Sequence, residues 1–333
     1  MSIVHSSAYR LGSRETGSWH LHYTLRVPLL LALLLACGTD PEPVTCAEGE
    51  LLDGDACVPE ACGTGTWGEL ETDGDTIYVD GSAEDGGDGS RDRPFTVIQE
   101  GLDTQDGDGM VAVAAGTYLE NLQMNSDHSG VHLAGRCREL VVIDASEGDE
   151  EDYAEGCGIY LDGSLTTTWA VSGVTVTRAP WFGIYQYKGV LTLNRNSVAD
   201  NQFRGLACEY GSLDATDCLV QGNHEAGVTV GGSAVTLTRL QVLDTQPNAD
   251  DGFGRGLNVA EGSTVEATDC LVQGNHEVGL VISDSTVTLE RIEVLDTLPN
   301  GSEEGGRGIA VNDSTLVVTP DCRSTPINAT AIA

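Results

Sequence analysis

The chain has 333 residues and carries 52 Asp and Glu against 16 Lys and Arg, a formal charge of −36. Such a surface repels phosphate-rich partners and excludes a nucleic-acid-binding role, while an apolar content of 40% excludes wholesale disorder. In chain order, the first feature is the apolar run Val27–Ala36 behind a single basic residue, Arg26. Its ten residues are too few to cross a bilayer as a helix but suit the hydrophobic region of a secretory signal.

The run ends Leu34-Leu35-Ala36-Cys37, which looks like a bacterial lipobox, with cleavage before Cys37 leaving that cysteine to carry lipid. Gly38 follows it, and by resemblance to lipoprotein sorting this points to the outer membrane. Residues 1–24 are long and weakly basic for a leader, which places the natural start nearer Leu25. Residues 1–36 therefore read as a signal peptide, and a membrane enters only through the lipid anchor. Residues 37–68 hold Cys46, Cys57 and Cys62 in a stretch too polar for its own core, and read as a cysteine-pinned stalk in an oxidising compartment. Ten cysteines less Cys37 leave an odd number, so at least one is free or intermolecular.

The body of the chain repeats. A glycine followed by alternating apolar residues recurs at Gly158, Gly183, Gly205, Gly227, Gly256, Gly279 and Gly308. A second alternating segment follows each, as in Leu191-x-Leu193, Leu213-x-Ala215, Val235-x-Leu237, Val265-x-Ala267 and Val287-x-Leu289. A third short apolar segment carries Val220, Val242, Val272 or Val294. Three period-2 segments per unit, without helical periodicity, predict an all-β solenoid. It is a right-handed single-stranded parallel β-helix of roughly ten coils, in which stacking buries what one coil cannot. Residues 69–145 are its entry and N-terminal cap with a short capping helix, and 146–318 its repeat coils. Residues 319–333 are an irregular tail, expected to lack a third strand and to be either truncated or folded across the end. Two longer corners, "TQPNADDGFGR" and "TLPNGSEEGGR", emerge two coils apart and offer recognition surface.

The entry carries a resemblance. Tyr78-Val79, Gly89, Pro94-Phe95 with Ile98-Gln99, and Gly116-Thr117-Tyr118 resemble the domain of unknown function that begins many bacterial right-handed β-helix repeat proteins. The remainder is similar to pectate-lyase-like β-helix repeats. Val97 stands where that family more often has threonine. The resemblance implies the fold and brings no established activity.

The eleven residues "ATDCLVQGNHE" occur twice, at Ala215–Glu225 and Ala267–Glu277. Coil spacing puts Cys218 and Cys270 about 9.6 Å apart, too far for a disulfide, so both are expected to pack beside Leu240 and Ile292. His224 and His276 are equally far apart, cannot share a metal, and are expected to face solvent. The position closing the second strand reads Arg178, Arg195, Asp217, Arg239, Asp269, Arg291, and a second column reads Arg204, Glu225, Arg255, Glu277, Arg307. Alternating charges on stacked coils predict a structural ladder that sets register in two-coil units. No catalytic residues and no bound metal are assigned; the acidic loops Asp80–Asp92, Asp103–Asp108, Asp144–Asp152 and Asn248–Asp251 are expected to hold Ca2+ only loosely. The sequence thus points to a non-catalytic, surface-exposed binding or structural module that contacts a glycan or a surface protein. The alternative is a polysaccharide lyase or glycoside hydrolase on the same fold, for which Lys188 and the column arginines are conceivable bases.

Overall fold

The structure is a computed structural model and describes Cys46 and residues 50–53, 56–319 and 321–324. Cys37 and the leader lie outside the described residues.

Each coil supplies one strand to each of three parallel sheets, with eight, ten and nine strands in the first, second and third sheets. The first sheet holds the glycine-opened strands, among them Ile159–Asp162, Ile184–Tyr187, Leu206–Glu209 and Ala226–Gly231. The registers are those of the repeat: Ile184 opposes Leu206 and Leu206 opposes Val228. In the second sheet Leu191 opposes Leu213 and Leu213 opposes Val235; in the third Val220 opposes Val242 and Val242 opposes Val272. Alternate residues therefore point inward everywhere, and one continuous apolar core runs from Val79 to Val294.

The recurring glycines are explained by crowding. A Cβ at Gly183 would lie 2.3 Å from Val198 Cγ1, and one at Gly205 would lie 2.6 Å from the Gly227 carbonyl in the next coil. Only a residue without a side chain lets the incoming strand pass so close to the valines of the third sheet.

Each coil turns at three corners, and in the coils opened by Gly183 to Gly279 each corner is marked by a residue with positive φ. Lys188, Tyr210 and Glu261 follow the first sheet; Arg195, Asp217, Arg239, Asp269 and Arg291 follow the second; Arg178, Asp200, Asp244 and Asp296 follow the third. Stacked polar side chains satisfy the backbone at these bends. Asn223 Oδ1 accepts from the backbone N–H and the side-chain amide of Asn201, while its own amide donates to the Val198 carbonyl. Ser233, Ser263, Ser285 and Ser314 form a second ladder, each hydroxyl from Ser263 onward accepting the N–H of the serine one coil earlier.

The helix Ile98–Thr104 covers the first core layer with fully buried Ile98 and Leu102. Val97 gives its N-terminus no side-chain cap. Glu120 does so from the following coil, accepting from the N–H groups of Ile98 and Gln99 at 2.8 and 2.9 Å. Burial raises the pKa of its carboxyl group.

Two expectations change. The stretch read as a stalk has its second half docked on the β-helix. Disulfides join Cys46 to Cys57 and Cys62 to Cys137; buried Arg136 donates to the carbonyls of Cys62 and Gly63, and Trp67 packs edge-on to Tyr78. The last coil does have a third strand: Arg323–Ser324 pairs with Glu293 and Val294. It was hidden because its pattern, Arg-Ser, is polar where the other coils place valine.

Candidate functional site

The outer face of the first sheet is where the structure concentrates unusual side chains. One outward column reads Tyr160, Tyr185, Ala207, Thr229, Asn258, and the next reads Asp162, Tyr187, Glu209, Gly231, Ala260. An aromatic wall thus stands over a floor of small residues. Tyr160 and Tyr185 stack with centroids 5.6 Å apart, Tyr153 meets Tyr185 edge-on at 5.0 Å, and Tyr187 meets Tyr210 at 6.0 Å. Trp181, Phe182 and Phe203 extend the wall, with the Arg204 guanidinium 4.7 Å from the Phe203 ring.

Polar groups rim these rings. Tyr185 Oη donates to Glu209 at 2.8 Å and Tyr210 Oη donates to Glu261 at 2.8 Å. Desolvation first, then the Glu209 hydrogen bond, raises the Tyr185 pKa, so this phenol stays a donor. Lys188 Nζ lies 4.6 Å from the Tyr187 ring centroid. The Thr229 hydroxyl on the floor is buried and has no hydrogen-bond partner. Sequence reasoning missed this face, although nine of the seventeen aromatic residues fall between Tyr153 and Tyr210. That bunching, at the spacing of successive coils, was the available signal.

The residues singled out from the sequence lie elsewhere, at two corners. Arg239 donates to both oxygens of Asp217 at 2.6 and 2.8 Å, and Arg291 to both oxygens of Asp269 at 2.5 and 3.0 Å. Arg204 pairs with Glu225, and Arg255 with Glu277 at 2.7 Å. Arg195 and Arg307 form no side-chain ion pair among the described residues. Arg178 does not belong to the second-strand column: it follows the third sheet and pairs with Asp144, while the column place before Arg195 is held by Gly173. The charges form separate pairs and not a continuous ladder.

Cys218 and Cys270 are buried in the core beside Leu240 and Ile292. Burial pushes the Cys218 thiol up to about 11. His224 and His276 are half-buried and do not face solvent as expected, because each ring Nδ1 is engaged by a backbone carbonyl, of Pro247 and Thr245 respectively. The two long loops share one fold: Asn248 accepts the N–H groups of Asp250 and Gly252, and Asn300 those of Ser302 and Glu304. They touch where Ser302 N–H donates to the Asp251 carbonyl. The acidic loop near Asp80 turns on itself, with Asp80 accepting from Ser82 and Asp88 pairing with Arg93 at 2.9 Å. Among the described residues, the one group of side chains close enough to hold a metal is Cys62, Cys137 and Glu139, and its two cysteines are bonded to each other.

Comparison with known proteins places this architecture. The family described as right handed beta helix region matches residues 157–331. No curated protein matches in sequence. Among solved structures, the chain is similar to pectate lyase Pel9A, at 15% identity and a TM-score of 0.45, covering 78% of this chain and 81% of that one. It is similar also to a rhamnogalacturonan lyase, at 12% identity and a TM-score of 0.43 with coverage of 76% and 85%. Pectin methylesterase PemA from Erwinia chrysanthemi gives 12%, 0.42, 74% and 92% for the same quantities. With more than half its length matched and three parallel sheets wound coil upon coil, the chain belongs to the right-handed β-helix family.

Proposed function

We propose that this protein is an exported, envelope-anchored, non-catalytic module that binds neutral glycans on the outer face of the first sheet. The observation that carries the reading is the set of accessible rings of Tyr153, Tyr187 and Tyr210 beside the carboxylates of Glu209 and Glu261. Aromatic rings give a flat apolar surface for the C–H faces of a sugar, and Glu209 and Glu261 supply acceptors for its hydroxyls.

A non-catalytic role is supported by how Glu209 is used. It already accepts from Tyr185, and Glu261, the other carboxylate beside Gly231, already accepts from Tyr210. The test is binding of neutral oligosaccharides on a glycan array, with and without Ca2+, followed by titration of Tyr187→Ala and Tyr210→Ala. Saturable binding weakened about tenfold or more by either substitution is expected; turnover of the glycan, or binding indifferent to both, refutes the reading. Anchoring is tested by metabolic labelling with a palmitate analogue: label should be incorporated and should be lost in Cys37→Ser.

A further inference from the structure

On another side of the coil, at the second corner, lies a groove of about 800 Å3. One wall is the docked N-terminal segment, through Ala61, Glu69 and Leu70; the other is the corner column that includes Arg195, Asp217 and Arg239. The first wall is fixed covalently, by the disulfide between Cys62 and Cys137. This cavity is therefore built into the fold and does not depend on loose loops.

Three guanidinium groups gather around the single carboxylate of Asp217. Arg239 takes both of its oxygens, and Arg138 donates to its backbone carbonyl while pairing with Glu139 at 3.0 Å. Arg195 stands beside Asp217 from the preceding coil and has no ion-pair partner among the described residues. Arg138 and Arg239 are held in ion pairs, whereas the Arg195 guanidinium is not. Its backbone is also held at φ 52°, a region that costs an ordinary side chain on the order of 1–2 kcal/mol and that Asp or Asn tolerates better. Asp217, Arg239, Asp269 and Arg291 occupy the same bend in other coils, but Arg239 and Arg291 are each held there by an ion pair and Arg195 is not.

We propose that this groove is an anion site that takes the carboxylate of a small organic acid, of the size of a sugar acid, on the Arg195 guanidinium. The planar guanidinium fork matches two carboxylate oxygens. Asn194 and Gln241 line the groove and present amides to the rest of the ligand, while Glu69 in the opposite wall disfavours a second negative charge.

Calorimetric titration of the intact protein with glucuronate, glucose and inorganic phosphate tests the assignment. Glucuronate should bind saturably and glucose should not. Arg195→Gln should weaken glucuronate binding about tenfold or more with an unchanged melting temperature. Arg255→Gln, whose pair with Glu277 lies at the other charged corner, and Tyr187→Ala, on the glycan face, should both leave it intact. Phosphate should compete poorly because its dianion meets Glu69. Equal binding of glucose, wild-type affinity in Arg195→Gln, or phosphate competing as well as glucuronate overturns the proposal.

Discussion

Arg239 grips both oxygens of Asp217, one coil behind it, and forms no ion pair with Asp269, one coil ahead. Arg291 does the same, pairing back to Asp269. At the other charged corner the direction reverses, with Arg204 and Arg255 reaching forward to Glu225 and Glu277. Both senses join the same coils: the one opened by Gly205 to the one opened by Gly227, and the one opened by Gly256 to the one opened by Gly279. The two-coil repeat is therefore a pair of coils fastened at two corners, and the junction between pairs lacks these fastenings.

Double-mutant cycles test that division. Arg204 and Glu225, both partly buried, should show a coupling of about 1 kcal/mol. Arg239 and Asp217 are more exposed, and their coupling should appear in the melting temperature at low salt and disappear near 1 M salt. Arg239 and Asp269 should show none. Equal coupling across both neighbours would mean a continuous ladder.

Gln186 is fully buried in an inward column otherwise filled by Leu161, Cys208 and Val230. Its amide nitrogen donates to the carbonyls of Lys188, Gly189 and Ser212, all at the first corner. Gln186→Leu restores an apolar column but strands those carbonyls, and should destabilise the fold by about 1–3 kcal/mol in denaturant titration. A neutral or stabilising result would show that water or backbone adjustment can satisfy the corner.

Gly205→Ala sets a Cβ against the Gly227 carbonyl and the Val220 side chain, at 2.6 and 2.7 Å. Backbone atoms of the next coil cannot yield as a side-chain tip can, so a loss of about 1–3 kcal/mol is expected. The same change at Gly262, where nothing lies within 4 Å but φ is +77°, should cost only the strain of the left-handed bend, about 1 kcal/mol.

The architecture was legible because inward valines and leucines repeat with period 2 and the glycines recur where a Cβ has no room. The pairing of charges was only half legible. Alternation along a column shows that opposite charges can meet, but whether Arg239 turns back to Asp217 or on to Asp269 depends on rotamers that sequence does not encode. The aromatic face went unread for a different reason: Tyr160, Tyr185 and Tyr187 come from different coils, and only their shared outward register makes them one surface. A third Asp-Cys pair, Asp321-Cys322, keeps the 52-residue spacing of Asp217-Cys218 and Asp269-Cys270. The residues around it have diverged, which conceals the copy, yet Cys322 still stacks on the column, where its Sγ accepts the Ile292 N–H at 3.4 Å.

These thiols give the last prediction. Among the described residues Cys157, Cys208, Cys218, Cys270 and Cys322 are free, and all but Cys322 are buried. Burial pushes Cys208 and Cys218 up to about 11 and Cys157 up to about 12. Above pH 9 the unfolded chain has released protons that the folded chain still holds. The stabilisation present at lower pH should thus be lost progressively as pH rises from about 9 towards 11. Denaturant titrations across that interval should show a falling midpoint, and Cys208→Ala with Cys218→Ala should flatten the slope while lowering stability at pH 7. In the native protein at pH 8 a thiol reagent should modify Cys322 first and leave the four buried cysteines untouched until the β-helix unfolds. Rapid labelling of Cys218 in the folded state would show that the coils open locally at the second corner, beside the groove that holds Arg195.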